Sequence, residues 1–244
     1  MTAPRLIAQN LNASDPAVSA ALAAGDSGWL RSVVRRIEAT GVDAIDLNAG
    51  TFGTNERNLL GWLAGQVEPL TKLKLSLDSS DPEIIAFAGL GARRPIIFNS
   101  LALDTPWSEP LSRLLLEREP EVVLSLRRGA ELPHSMATRL AWAEEGVARL
   151  AEKGVDPGRV LVDAIALPWG DDFDAGRGMI EFVEEWSRRA IGAGSLVGLG
   201  NLGHGHPDAV RINREWWSRL RSAGIAAALV DAFEPGLRTS DGDG

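Results

Sequence analysis

The 244-residue sequence contains no cysteine. Disulfide bridges, thiolate nucleophiles and thiolate metal ligands are therefore excluded. Long apolar runs are also missing, since no stretch approaches the roughly 18 consecutive apolar residues that a membrane-spanning helix needs. Residues 1–5 do not form a basic segment that leads into a long apolar stretch, which is the pattern of an export signal. We therefore expect a cytoplasmic protein.

Basic residues are in the minority, with 25 lysines and arginines against 33 aspartates and glutamates and a net charge of −8. Because nucleic-acid binding depends on the neutralisation of phosphates, this balance disfavours a nucleic acid as the partner. The composition is 45% hydrophobic and 24% charged, which is enough for one substantial core. We expect a single domain over residues 1–238 and a disordered, polar, glycine-rich tail over residues 239–244.

Short runs rich in leucine or β-branched residues alternate with longer segments in which apolar residues have helical spacing. The predicted strands are Leu6–Gln9, Ala44–Leu47, Leu73–Leu77, Pro95–Phe98, Val122–Leu126, Val160–Val162, Leu196–Leu199 and Ala226–Val230. The predicted helices are Trp29–Thr40, Asn55–Gln66, Pro82–Leu90, Trp107–Leu116, Ser135–Lys153, Gly176–Ile191 and Pro207–Ala223. This alternation favours a (β/α)8 TIM barrel, and an open doubly wound α/β sheet also satisfies the periodicity.

Polar side chains stand at the end of seven of the eight predicted strands. In a barrel of this kind the C-terminal ends of the strands carry the active site. The residues are Asn10, Asp46 with Asn48, Asp78, Asn99, Asp163, Asn201 and Asp231. Any one of them could cap a turn or a helix. Seven together would leave many polar groups without partners unless a polar ligand filled this end of the barrel.

The chemistry of these side chains favours a ligand that is rich in N–H donors. A 2-amino-4-oxo pterin has this character, because its N3–H and 2-amino group form a two-donor edge that one carboxylate can accept with both oxygens. Asp163 and Asp78 are the candidates for that carboxylate. An asparagine is both donor and acceptor, which suits the O4, N5 and N8–H positions of the same ring.

The same segments carry a resemblance to a known family. They are Gly41–Gly50, Leu77–Ser80, Phe98–Ser100, Leu161–Asp163, Gly198–Asn201, Gly205–Pro207, Ile212–Arg214 and Ala223–Ile225 leading to Asp231. In this order, over nearly the whole chain, they resemble the methyltetrahydrofolate:corrinoid methyltransferases of the pterin-binding barrel superfamily. That superfamily also includes the dihydropteroate synthases and the folate domain of cobalamin-dependent methionine synthase.

The resemblance implies a role for most of the polar residues. Asp78, Asn99 and Asp163 match the family's pterin-ring ligands, and Asn201 matches the asparagine near N5, from which the methyl group leaves. Asn201 is therefore the candidate catalytic residue. Asp46 and Asn48 match the motif of the second strand that lines the same cavity. With Asn10 and Asp231 from the polar ring, these residues form the predicted cofactor-binding set.

The chain departs from the family pattern around two strands. After the sixth strand the family has Asp-Pro where this chain has Asp163-Ala164, and its Ser-Asn on the seventh strand is Gly200-Asn201 here. The next residues, Gly203 to His206, replace aromatic and small residues. His204 or His206 could relay a proton, and the two histidines could equally serve only to cap the next helix.

The family also implies methyltetrahydrofolate as the methyl carrier, a corrinoid supplied by a partner protein and a homodimer. Three other interpretations stay open. One is a dihydropteroate synthase-like enzyme, although the loops after the first, seventh and eighth strands lack that enzyme's motifs. Another is a phosphate-binding loop within residues 194–205, which contain no lysine. The third is a pterin-binding barrel without catalytic activity.

Overall fold

Eight parallel strands form a closed barrel in chain order, and β1 pairs with β8 to complete it. The computed structural model describes residues 3–166 and 173–237, so the predicted tail over residues 239–244 lies outside the described residues. The strands are β1 Arg5–Asn12, β2 Ala44–Asn48, β3 Lys74–Asp78, β4 Ile97–Ala102, β5 Glu121–Ser125, β6 Val160–Asp163, β7 Gly194–Gly198 and β8 Ala227–Val230. The predicted TIM barrel is confirmed, and the open sheet is excluded.

Helices follow the strands and cover the outside of the barrel. They are α1 Pro16–Ala24, α2 Ser27–Ala39, α3 Glu56–Val67, α4 Pro82–Gly91, α5 Glu109–Glu117, α6 Met136–Glu152, α7 Phe173–Arg189, α8 Leu199–Leu202 and α9 Ala209–Ala223. The seven predicted helices are confirmed with small shifts at their ends. Within the described ranges, no helix is long and apolar enough to span a membrane.

Two helices, α1 and α8, were not predicted. Helix α1 is rich in alanine, so its apolar residues do not mark one face clearly. Its ends are nevertheless encoded, because the Asp15 side chain accepts the N–H groups of Ala17 and Val18, and Gly25 ends the helix with φ 61°. Helix α8 is a single turn directly after β7, which is too short to show a period.

The barrel interior is layered, because alternate residues of each strand point inward. At the N-terminal end, the Glu121 carboxylate accepts a salt bridge from Arg5 at 2.6 Å and a second one from Lys74. Above these charges lies an apolar layer. It consists of Ile7, Ala44, Ile97, Val123, Leu161, Leu196 and Ala227. The polar residues lie above this layer, at the C-terminal end, which we call the barrel mouth.

Seven of the eight predicted strand ends differ from the structure, five of them by one residue and those of β1 and β4 by three and four residues. Strand β1 continues to Asn12 and strand β4 to Ala102, so Asn10 and Asn99 lie within strands and not after them. Strand β7 ends at Gly198, and Asn201 belongs to helix α8. Strands β1 and β4 are longer than predicted and β7 ends earlier, because pairing with neighbouring strands determines the length of a strand more than the propensities of its own residues do.

Candidate functional site

Four predicted residues on β2, β3 and β4 form two neighbouring hydrogen-bonded pairs, Asp46 with Asn99 and Asn48 with Asp78, which we together call the β2–β4 cluster. The register of the sheet brings them together, since Asn48 pairs with Asp78 and Asp78 with Asn99. Asp46 lies two residues deeper on β2 than Asn48 and pairs with Ser76. Strand order and register therefore place side chains from distant parts of the chain on one level of the barrel.

Within this cluster the carboxylates orient the amides. Asp46 Oδ1 accepts the Ser76 hydroxyl at 2.5 Å and Asn99 Nδ2 at 3.1 Å. Asn48 Nδ2 donates to Asp78 Oδ2 at 2.8 Å, and Asn48 Oδ1 accepts the Gly50 N–H at 2.9 Å. Asn99 therefore turns its amide nitrogen inward to Asp46, and its carbonyl oxygen remains available as an acceptor.

The carboxyls of the cluster are unusually easy to protonate. Burial, with the charge of Asp78 adding to it, raises the pKa of Asp46 well above its ordinary value, against the hydrogen bonds from Ser76 and Asn99. Burial also raises the pKa of Asp78 to about 6; the hydrogen bond from Asn48 opposes the rise, and the charge of Glu56 adds to it. The carboxyls on this side of the mouth therefore ionise at a higher pH than exposed carboxyls do.

Glu56 is a third buried acid on this side, and it was not predicted. It is the first residue of α3 and only 7% of its surface is exposed. The Ser79 hydroxyl donates to its Oε1, and the Ser79 oxygen in turn accepts the Asp81 N–H at 3.1 Å. Glu56 thus stabilises the turn that follows Asp78 through its hydrogen bond with Ser79.

Asp163 lies across the mouth as the last residue of β6, where the register pairs it with Ser125 on β5 and Leu196 on β7. Its Oδ1 accepts the Ile165 N–H at 2.9 Å. Burial raises the pKa of Asp163 to about 6, and the Ile165 N–H and the Arg139 guanidinium oppose that rise. The charge of Asp78 adds to the increase, which shows that the two sides of the mouth interact electrostatically.

Asn201 is exposed on α8, one turn beyond the end of β7. Its side chain folds back over Gly198, because a Cβ on that glycine would lie 2.8 Å from Asn201 Nδ2. A Cβ on Gly200 would likewise lie 2.5 Å from the amide nitrogen of Gln9, an inward residue of β1. The Gln9 amide occupies the space beside Gly200, and a larger residue there would require the Gln9 side chain to move.

Asn10 and Asp231 bond to each other at the seam of the barrel. Asn10 Nδ2 donates to Asp231 Oδ1 at 2.5 Å, and Asn10 Oδ1 accepts the Ala232 N–H at 2.8 Å. Asp231 Oδ1 also accepts the Phe233 N–H at 2.9 Å. The pair holds the segment after β8 against β1, and a part in cofactor binding stays a prediction for both residues.

The two loop histidines have different surroundings. His206 Nδ1 accepts the Asp208 N–H at 3.0 Å just before α9, which is a capping contact. His204 is exposed. The capping interpretation therefore fits His206, and a proton relay through His204 stays a prediction.

Four residues of the mouth were missed by the sequence analysis: Gln9, Glu56, Ser76 and Arg139. Ser76 could have been found, because it precedes Asp78 by two residues on one strand and must point to the same side. Gln9 was predicted as a strand end without a role. Glu56 and Arg139 lie on helices, and only the folded barrel brings them to the strand ends.

The comparisons with known proteins agree with this architecture. The chain is 22% identical over 228 residues to a methylcorrinoid:tetrahydrofolate methyltransferase of Eubacterium limosum, which covers 93% of this chain and 84% of that protein. No family model matches the chain. The match runs along nearly the whole barrel, so it is not confined to one motif.

Dihydropteroate synthases have the same fold. The enzyme of Xanthomonas albilineans in complex with 7,8-dihydropteroate has a TM-score of 0.70 at 20% identity, over 95% of this chain and 89% of the synthase. The enzyme of Yersinia pestis in complex with a pterine-sulfa conjugate has a TM-score of 0.68 at 16% identity, over 94% and 87%. The predicted resemblance to the pterin-binding barrel superfamily is confirmed.

Proposed function

We propose that this chain, a barrel with the fold of the dihydropteroate synthases, moves the N5-methyl group between methyltetrahydrofolate and a cob(I)alamin-type corrinoid. The observation that carries the proposal is the set of buried carboxyls and oriented amides at the mouth, in a chain similar to a methylcorrinoid:tetrahydrofolate methyltransferase over 93% of its length. Buried carboxyls with raised pKa values in a cleft are typical of functional sites and cost stability when they stand alone.

Asp163 is the acceptor for the two-donor edge of the pterin. Its Oδ2 accepts no hydrogen bond from the residues that the structure describes, while its Oδ1 has one bond from a backbone N–H. A carboxylate held in this way can take the N3–H and the 2-amino group together. The β2–β4 cluster then supplies amide and carboxyl groups to the rest of the ring, where donors and acceptors alternate.

Asn201 acts on the chemical step. A methyl group on N5 is attached to a poor leaving group, so transfer needs a strong nucleophile, which the corrinoid supplies, and stabilisation of the charge that develops at N5. An amide cannot serve as an acid. Asn201 Nδ2 donates a hydrogen bond that strengthens as N5 becomes basic, and the proton reaches N5 from solvent or through a relay.

The corrinoid belongs to a partner protein in this proposal. The sequence has no Asp-x-His-x-x-Gly motif for binding a cobalt corrinoid, so the partner must present it at the mouth. Asn201 and His204 are exposed on that face. By the same resemblance we propose that the protein is a homodimer that works in the cytoplasm.

A dihydropteroate synthase is the second candidate, and its fold is the reason to test it. At 20% and 16% identity these synthases show the fold alone. A synthase must also hold a pyrophosphate leaving group, and the segments Asn10–Ala13, Gly200–Leu202 and Val230–Ala232 contain no basic residue. We therefore expect no condensation of 6-hydroxymethyl-7,8-dihydropterin pyrophosphate with 4-aminobenzoate.

The first experiment is a calorimetric titration of the full chain with methyltetrahydrofolate at pH 7.5, beside the synthase assay. Saturable binding without synthase activity supports the proposal. Synthase turnover would replace it with the second candidate. If methyltetrahydrofolate did not bind, the barrel mouth would not be a pterin site, and both candidate functions would be contradicted.

A further inference from the structure

Arg139 is a buried cation that the proposed reaction does not use directly. It lies in the first turn of α6, and only 6% of its surface is exposed. Its Nη1 donates to the Ala164 carbonyl at 2.5 Å, with the Ile165 carbonyl 3.5 Å away. A buried guanidinium is costly unless it is paired, so its position needs a reason.

The segment that Arg139 holds is strained. Ile165 has φ 52°, in the left-handed region that β-branched residues avoid. The Ile165 N–H that donates to Asp163 Oδ1 belongs to the same peptide group as the Ala164 carbonyl that Arg139 binds, so the guanidinium fixes the plane of that N–H. A strained residue persists only where the surroundings fix it, and the guanidinium bond to the preceding carbonyl does so here.

Arg139 also acts on Asp163 through its charge. It lowers the pKa of the Asp163 carboxyl, and Asp163 in return supports the charged form of Arg139. Asp78 on β3 acts in the opposite sense, and the register neighbours Ser125 and Leu196 carry no charge. Among the described residues Arg139 is thus the cation that favours an ionised Asp163.

We propose that Arg139 is a positioning residue for the pterin-binding carboxylate. It holds Ala164 and Ile165 in the strained turn that orients Asp163, and its charge keeps Asp163 ionised as an acceptor. This inference rests on the proposed function, and it assigns a role to a residue on a helix outside the strand ends. It also gives a reason for the Asp163-Ala164 sequence, since the turn is held by a side chain.

Four variants separate geometry from charge: R139M, R139K, R139M/I165G and the control R149M. R139M removes both the hydrogen bond to the turn and the positive charge. R139K keeps the charge but not the planar fork. Glycine adopts positive φ without strain, so I165G should restore the turn in R139M without restoring the charge. Arg149 lies on the same helix and also donates to a backbone carbonyl, that of Leu103, away from Asp163.

Each variant is titrated with methyltetrahydrofolate from pH 5 to 8. We expect R139M to bind at least tenfold more weakly at pH 7, with the pH at which binding is lost shifted upward. R139M/I165G should recover most of the affinity at pH 8 and keep the shifted midpoint. R139K should bind more weakly and lose binding at the same pH as the wild type. If R139M does not fold, R139K alone tests the role of the guanidinium geometry. R149M should have the wild-type affinity and lose binding at the wild-type pH.

A ligand-free readout keeps this inference distinct from the proposed function. Carbon-13 NMR titration of the aspartate carboxyls, with Asp163 assigned from D163N, should show a higher Asp163 pKa in R139M and no change in R139K or R149M. Failure of the wild type to bind methyltetrahydrofolate would contradict the proposed function and leave this readout intact. An unchanged Asp163 titration in R139M, or a folded R139M with wild-type binding, would overturn the role of Arg139.

Discussion

The two sides of the barrel mouth differ in how much of their hydrogen-bonding capacity the protein itself uses. In the β2–β4 cluster, Asp46 bonds to Asn99 and Asn48 bonds to Asp78. Across the mouth, Asp163 receives one backbone bond, and the Asn201 side chain makes no hydrogen bond to a residue that the structure describes. The first side is therefore fixed by its own side-chain hydrogen bonds, whereas in the proposed function the polar atoms of the second side bind the ligand.

The two sides of the mouth also differ in how closely their sequences resemble the family pattern. The segments of the β2–β4 cluster resemble the family pattern, whereas the departures at Ala164, at Gly200 and in residues 203–206 all lie on the second side. Two of these departures have a neighbour that the sequence did not indicate, because Arg139 donates to the Ala164 carbonyl and the Gln9 amide lies beside Gly200.

The largest effect should come from Asp163→Asn. An amide there places a donor against the donors of the pterin edge, so we expect binding of tetrahydrofolate to weaken by several kcal/mol, on the order of 100-fold or more. Calorimetry measures this loss. Asp156→Asn is the matched control, with unchanged affinity, because Asp156 caps the turn before β6 at the opposite end of the barrel and an asparagine caps equally well. Unchanged affinity in Asp163→Asn would show that Asp163 does not bind the pterin ring.

The next effect should be on the rate of transfer in Asn201→Ala. Since its partner atom becomes basic only as the methyl group leaves, the substitution should lower kcat more than it raises Kd, by about 10²-fold to 10³-fold. Single-turnover transfer to cob(I)alamin measures the chemical step, and Ser222→Ala, near the end of α9 and away from the mouth, is the control. A wild-type rate in Asn201→Ala would contradict its assigned role.

A smaller effect should appear in the pH dependence of binding. Asp163 accepts the pterin edge only when it is ionised, and its pKa is raised to about 6. The Kd should therefore be constant above about pH 7 and increase up to about tenfold for each pH unit below 6. Binding by D163N should lack this slope, and a flat profile for the wild type would show that another group accepts the edge.

The smallest effect concerns stability. The pKa of Asp46 is raised in the folded state, so the folded protein binds more protons than the unfolded chain above pH 3.8, and stability falls as the pH rises from there through the folded pKa. Asp46→Asn should remove that cost and raise the Tm at pH 7 by about 2 to 4 °C, which corresponds to about 1 kcal/mol. Thermal unfolding at pH 7 and pH 4 checks it, with the exposed Asp208→Asn as control. A lower Tm would show that the charged form is favoured.

The sequence predicted the barrel because eight apolar runs and their helices repeat one local pattern. It predicted the positions of Asp46, Asn48, Asp78 and Asp163 near the mouth because each lies within a predicted strand or directly after one. It could not predict the helical position of Asn201, since a single turn has no period. The contributions of Glu56 and Arg139 depend on tertiary packing that brings helices to strand ends.

In the proposed function, one methyltetrahydrofolate binds between the two sides of the mouth, and its methyl group leaves beside Asn201. The most direct test is the transfer of the methyl group from methyltetrahydrofolate to cob(I)alamin by the wild-type chain, followed through the corrinoid absorbance. We expect transfer that depends on protein concentration and that falls on the order of 100-fold in Asn201→Ala. Tight binding of methyltetrahydrofolate without transfer to free or protein-bound corrinoid would contradict this account and leave a pterin-binding barrel without that activity.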